Sequence, residues 1–308
     1  MAQGARHKAL DTKRLPRVAV GLLGLLAGLL PVLPARALVP YVYLPNPQEL
    51  EGAGLGIGQA ASRLLRMGQP ADAARLAALT VQLLPDDPRG WLLLAEAELR
   101  SNQSKEASLS LARAKQLDPR NAAIWFAEGS IALRNGNPKD AVGLLKQGLQ
   151  YDNRNAGAYF DLGNAQLLLG RAQDAIKEWD RAAALRNGFW EAINNQGLVL
   201  YELGDHQAAV GRWRRALKIK PDAAEPTLAL AAGLYGLGPK NHAEAIELAT
   251  RALTTDPNYV LDSFLKDQLW GTKLRAATKQ LLALHELKAV VERANANASP
   301  EGNSEEDL

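Results

Sequence analysis

The sequence predicts an all-α solenoid of stacked helical pairs, and three observations carry that prediction. Ala and Leu are abundant while aromatics make up only 6% of the 308 residues, a balance that favours helices over sheets. Residues 118–136, DPRNAAIWFAEGSIALRNG, return thirty-four residues later as 152–170, DNRNAGAYFDLGNAQLLLG. Columns of small and large residues keep the same step: Trp91, Trp125 and Tyr159; Gly129, Gly163 and Gly197; Ala73, Ala107, Ala141, Ala175 and Ala209. A fixed period of this size marks an array of supersecondary units, each burying its apolar face against the next.

The chain opens with a polar, basic stretch at 1–17, then the apolar run VAVGLLGLLAGLLPVL at 18–33, then Ala35-Arg36-Ala37. That order is the pattern of a secretory signal, with cleavage after Ala37 leaving Leu38 first. A retained membrane anchor is the competing reading of residues 1–37. The run of 16 apolar residues falls short of the roughly 20 that span a bilayer core, and Pro31 and Pro34 interrupt helix near its end. Either way the body is exported across a membrane or anchored to it. The leader also explains the net charge of +3: without residues 1–37, 30 basic residues face 32 acidic ones. The body therefore carries no electrostatic signature of a nucleic-acid binder.

Residues 38–53 begin LVPYVYLPNPQEL and predict a proline-rich extended arm, since Pro40, Pro45 and Pro47 disfavour helix. The stretch GAGLGIG at 52–58 has the wrong glycine spacing for a dinucleotide fingerprint. It reads as a flexible junction into the first repeat.

Six units follow: 54–87, 88–121, 122–155, 156–189, 190–223 and 224–259. In 122–155 the first helix covers about 122–134, Asn135-Gly136-Asn137-Pro138 breaks it, and the second covers about 138–150. Gly129 and Ala141 mark a close crossing of the two helices. Gly68, Gly136, Gly170 and Gly204 stand just past the first helices, with Asn102 in the missing slot, where positive φ is commonly required. Trp179 and Trp213 take the packing place that Leu145 holds in 122–155. The sixth unit carries two extra residues near Gly238-Pro239-Lys240-Asn241, in a loop, where length changes cost little. Beyond it, residues 260–295 predict capping helices for the apolar end of the array. The acidic, Ser-rich tail 296–308 predicts disorder.

This pattern resembles the tetratricopeptide repeat, a helix-turn-helix of 34 residues. The resemblance rests on Trp125, Gly129, Ala141, Leu145 and Gly148 in one unit, with Tyr159, Gly163, Ala175, Trp179 and Ala182 in the next. The unit 88–121 repeats it with Trp91 and Ala95, and 190–223 with Gly197, Ala209 and Trp213. It implies a right-handed superhelix whose first helices line a concave channel, and a general scaffold for binding other proteins. The leader ending PARALVPYVYLP and the closing FLKDQLWGTKLR also look like the thylakoid-associated repeat proteins of cyanobacteria and chloroplasts. That likeness implies a role in assembly or maintenance of photosynthetic complexes.

Carrying the family's inward-facing positions onto this chain gives a partner-binding set of Phe126, Ser130, Phe160, Asn164, Glu191, Asn194 and Tyr201. Family members that grip a C-terminal carboxylate use Lys or Arg with Asn there, and no Lys or Arg falls at these positions. An extended segment with an apolar anchor, its backbone paired by Asn, fits better. The expected partner is a peptide or a subunit of a membrane complex, with contact to the membrane surface alongside. The chain's own arm is a rival occupant, and a purely structural spacer a rival role. A secondary surface is the basic cluster RWRRALKIK, where Arg212, Arg214, Arg215 and Lys218 surround the packed Trp213. It reads either as a solvated face or as a contact for an acidic partner or anionic lipid.

Nothing in the sequence points to catalysis or a cofactor. No cysteine occurs, which excludes disulfides and thiolate chemistry. His7, His206, His242 and His285 form no H-E-x-x-H, and neither a phosphate-binding loop nor a nucleophile elbow is present. No small-molecule substrate, metal or nucleic acid is expected.

Overall fold

The computed structural model describes residues 45–299. The expectations placed on the leader, on 38–44 and on the tail from residue 300 lie outside the described residues. Six helical pairs follow one another: α1 (Pro47–Arg66) with α2 (Pro70–Leu83), α3 (Pro88–Arg100) with α4 (Ser104–Leu117), α5 (Ala122–Arg134) with α6 (Pro138–Tyr151), α7 (Ala156–Leu168) with α8 (Ala172–Leu185), α9 (Trp190–Glu202) with α10 (His206–Ile219), and α11 (Ala224–Gly236) with α12 (His242–Thr255). Then come α13 (Asp262–Asp267), α14 (Thr272–Leu282) and α15 (Lys288–Asn297). The described residues contain no strand.

The first helix corrects two expectations. Residues 47–53 are not an extended arm, and GAGLGIG is not a flexible junction; both lie inside α1. Asn46 decides this. Its side chain accepts from the Glu49 N–H and the Glu49 carboxylate accepts from the Asn46 N–H, both at 2.9 Å. This capping box satisfies two orphan donors at once, and Pro47 sits at the first helical position, where no N–H is needed. Packing then explains Gly54: a Cβ there would come within 2.7 Å of Leu84 Cγ.

The turn inside each pair is built the same way. Gly68, Gly136, Gly170 and Gly204 all have positive φ, and Asn102 fills the second slot at φ 60°. The residue after each closes a bond back into the last turn of the first helix, as in Asn137 N to Ala132 O at 2.8 Å and Gln103 N to Glu98 O at 2.8 Å. This is the Schellman arrangement, which needs a left-handed residue at its centre. The sixth pair departs from it, and its extra residues form a short 3₁₀ turn at Pro239–Asn241.

Within pairs, small residues admit large ones. A Cβ on Gly129 would lie 2.7 Å from Leu145 Cγ, and one on Gly197 would lie 2.5 Å from Trp213 Nε1. Gly163 meets Trp179 in the same way, and both tryptophans are wholly buried. Trp91 and Trp125 work between units: their Nε1 atoms donate to the Pro85 and Pro119 carbonyls at 2.8 and 2.9 Å. His206 stacks on Tyr201 at 4.2 Å and His242 on Tyr235 at 4.4 Å, a matched pair of ring contacts at the start of α10 and α12.

The C-terminal helices do two jobs. The 3₁₀ turn Pro257–Val260 and α15 pack on α12 at the end of the array. Instead of joining them, α14 folds back onto α11 and α9, on the side lined by the first helices. Leu274, Leu281 and Trp270 are buried in one core with Leu198, Tyr201 and Leu228. The Glu202 carboxylate fastens the return, accepting from Leu274 N at 2.9 Å and Lys273 N at 3.2 Å. The Lys273 ammonium donates to the Glu202 carbonyl at 2.6 Å, and Trp270 Nε1 donates to Glu225 at 3.0 Å. Residues 296–297, expected to begin the disordered tail, close α15.

Candidate peptide-binding cavity

A cavity of about 730 Å³ opens between α7, α9 and the returning segment. Aromatic rings form much of its wall. Phe160 of α7 and Phe189, at the entry to α9, lie with ring centroids 5.0 Å apart. Trp190 and Tyr259 also line it, and Asp267, Gln268 and Leu269 bound it on the C-terminal side.

Amides supply the polar part. Asn164 Oδ1 accepts from Trp179 Nε1 at 3.2 Å, and Asn195 Nδ2 lies 3.5 Å from the same oxygen. Trp179 Nε1 also reaches the Phe160 carbonyl at 3.2 Å. Asn164 therefore satisfies a buried indole from below while lining the cavity above. One unit on, Leu198 replaces Asn164 in the repeat, and Trp213 Nε1 has no partner among the described residues.

Charge is unevenly distributed. Asp161, Glu191, Glu225 and Asp267 line the cavity against Arg186 alone. Ser130 Oγ donates to Asp161 at 2.5 Å. Burial pushes the Asp161 carboxyl above its ordinary value, with the Ser130 bond and the Arg134 charge pulling partly back. The Arg186 guanidinium lies 3.2 Å from the centre of the Phe189 ring, a cation–π contact.

Of the seven partner-binding residues expected from sequence, three line this cavity: Phe160, Asn164 and Glu191. The other four do not. Phe126 packs over Gly148, where a Cβ would come within 2.5 Å of its ring. Ser130 directs its hydroxyl to Asp161. Asn194 and Tyr201 are 0% and 4% exposed, so neither faces an open channel, and α14 lies against their helix. Both amide atoms of Asn194 lack a partner among the described residues. Asn195, one residue on, is the amide that reaches the cavity. Counting by repeat position misses it, as well as Arg186 and Phe189 in the inter-unit loop and the wall at 267–269. Only the apolar–aromatic character of that loop, RNGFW at 186–190, could have signalled them.

The basic cluster is partly neutralised. Arg212 lies 3.5 Å from Asp180 and Arg214 2.8 Å from Glu244. Arg215 and Lys218 are not in an ion pair among the described residues.

A family model described as tetratricopeptide repeat matches residues 59–122, 126–188 and 194–260. No curated protein matches the sequence. Among solved structures, the Cut9–Hcn1 hetero-tetramer of the APC/C is similar at 15% identity and a TM-score of 0.62, over 77% of this chain and 46% of that one. The Pseudomonas aeruginosa protein pilF is 17% identical with a TM-score of 0.51, over 80% of this chain and 98% of its own. TTC0263, a thermophilic TPR protein of Thermus thermophilus, is 18% identical with a TM-score of 0.51, over 59% and 100%. These likenesses show the fold.

Proposed function

The chain belongs to the tetratricopeptide repeat family, whose members are generally protein-interaction scaffolds, and from that premise we propose a non-enzymatic scaffold that holds an extended segment of a partner protein in the cavity between α7 and α9. The observation that carries the reading is the cavity itself: about 730 Å³ on the side of the first helices, with aromatic walls and the Asn164–Asn195 amide pair. Phe160 and Phe189 offer an anchor site for an apolar side chain, and the amides offer donors and acceptors to a peptide backbone. Anchors in desolvated pockets carry most of the energy of such interfaces.

The membrane setting rests on the leader at 1–37 and its Ala35-Arg36-Ala37 site. Within that setting the partner is a subunit of a membrane complex, and the sequences PARALVPYVYLP and FLKDQLWGTKLR favour a photosynthetic one. Intact-mass measurement of protein from the native host is expected to show Leu38 as the first residue. A mass that retains residues 1–37, with release only by detergent, makes the leader an anchor.

Site-specific photocrosslinking tests the cavity. A photoactivatable residue placed at 160 is expected to capture a partner in host membranes, while the same residue at Leu109, on the exposed face of α4, captures none. Equal capture from both positions would overturn the reading.

A further inference from the structure

We propose that the cavity selects a cationic apolar segment, one that sets a Lys or Arg side chain beside its apolar anchor. The proposal rests on the peptide-binding reading above and adds the charge class of the ligand. Four carboxylates and one guanidinium line the cavity, and they are not equally engaged. Asp161 is held by Ser130 and Glu225 by the Trp270 indole. Arg186 lies on the Phe189 ring, so its charge is fixed to the wall. Glu191, from α9, and Asp267, at the end of α13, remain. Neither is in an ion pair among the described residues, and they come from two different elements that line one cavity.

The consequence is a charge bias in a partly enclosed, aromatic space. A ligand carboxylate entering it meets like charge, which disfavours a wrong partner. An ammonium or guanidinium meets Glu191 and Asp267, with Trp190 and Tyr259 lining the same space, and aromatic faces attract cations. The arrangement is the inverse of a carboxylate-gripping site, in which cationic side chains await an acidic chain end.

The test is selection from a random-sequence peptide library by the full-length protein in detergent. Recovered peptides are expected to carry Lys or Arg next to Phe, Leu or Trp. Acetylation of that Lys should weaken binding about tenfold, the change that one charge-assisted contact carries. The Glu191→Gln, Asp267→Asn double variant should bind equally weakly and be indifferent to acetylation. Recovery of neutral or acidic peptides, or no effect of acetylation, overturns the charge proposal; if Phe160→Ala still abolishes their binding, the peptide-binding reading survives. Failure to recover any peptide, or binding indifferent to Phe160→Ala, sinks that reading and the charge proposal with it.

Discussion

At Gly163 a single missing side chain makes room for the whole Trp179 indole, and Gly197 does the same for Trp213. Gly163→Leu is therefore expected to destabilise the protein by about 1–3 kcal/mol or more, the usual cost of overpacking; a thermal melt reads it, and an unchanged melting curve would mean that the crossing is looser than these contacts imply. The two tryptophans differ in one respect that the repeat register explains. Asn164 stands over the first indole nitrogen and Leu198 over the second, so one N–H is satisfied and the other is not. Asp161 gives a pH prediction at the same scale. Folding raises its carboxyl pKa above the ordinary 3.8 because burial disfavours the charged form. Such a group contributes stability at low pH, and that contribution is lost as pH rises through the folded pKa. At pH 7 the ionised form is thus the one that folding disfavours. Asp161→Asn, which keeps an acceptor for Ser130, should raise the melting temperature at pH 7, and the gap should close as the solution is acidified toward the ordinary carboxylate range. A gap that widens on acidification contradicts this account.

The helices and their turns were the most legible level of the sequence. Gly68, Gly136, Gly170 and Gly204 announced the left-handed residue of each turn, and Asn102 could stand among them because Asn tolerates that conformation better than other side chains. Gly136→Ala should cost roughly 1–2 kcal/mol, whereas Asn102→Gly should be neutral or slightly stabilising; denaturant titration of the pair tests the shared geometry. Less legible was anything that depends on one element meeting another far away in the chain. Pro45 and Pro47 read as helix breakers, yet Pro47 opens α1 because Asn46 and Glu49 cap it, a pairing visible only once helix and not coil is assumed. The return of α14 was hidden for a similar reason. Leu274 and Leu281 form an apolar stripe, but a stripe does not say which surface it covers, and Asn194 and Tyr201, expected on an open binding face, are buried. Glu202 is the residue that fixes the answer. Glu202→Ala should weaken α14 docking by about 1–3 kcal/mol, the range for losing a charged cap, and should raise amide exchange in α14 ahead of that in α11.

Across the whole molecule, buried side chains gather toward the C-terminal half. Helices α1 to α3 share two small clusters, one of four and one of three buried residues, and α3 to α5 share a third of six, while α9 to α15 share a single larger core that includes Trp213, Trp270, Leu274, Leu281 and Leu287. Stability in a repeat array is close to a sum of local terms, so protection should be graded along it. Native-state hydrogen exchange is expected to show the slowest amides in α9, α11 and α14 and the fastest in α1 to α4; a uniform profile would mean that the array unfolds as one unit. The return of α14 also has a consequence for biosynthesis. Most contacts in such an array join neighbours, so each pair can pack as soon as the next leaves the ribosome. Glu202 and Lys273 are an exception, 71 residues apart. At about 5–20 residues per second of synthesis, roughly 4–14 s separate them. For that interval the apolar inner surface of α9 and α11 lacks the cover that α14 gives it, and the nascent chain presents it to solvent or to any chaperone that attends the polypeptide.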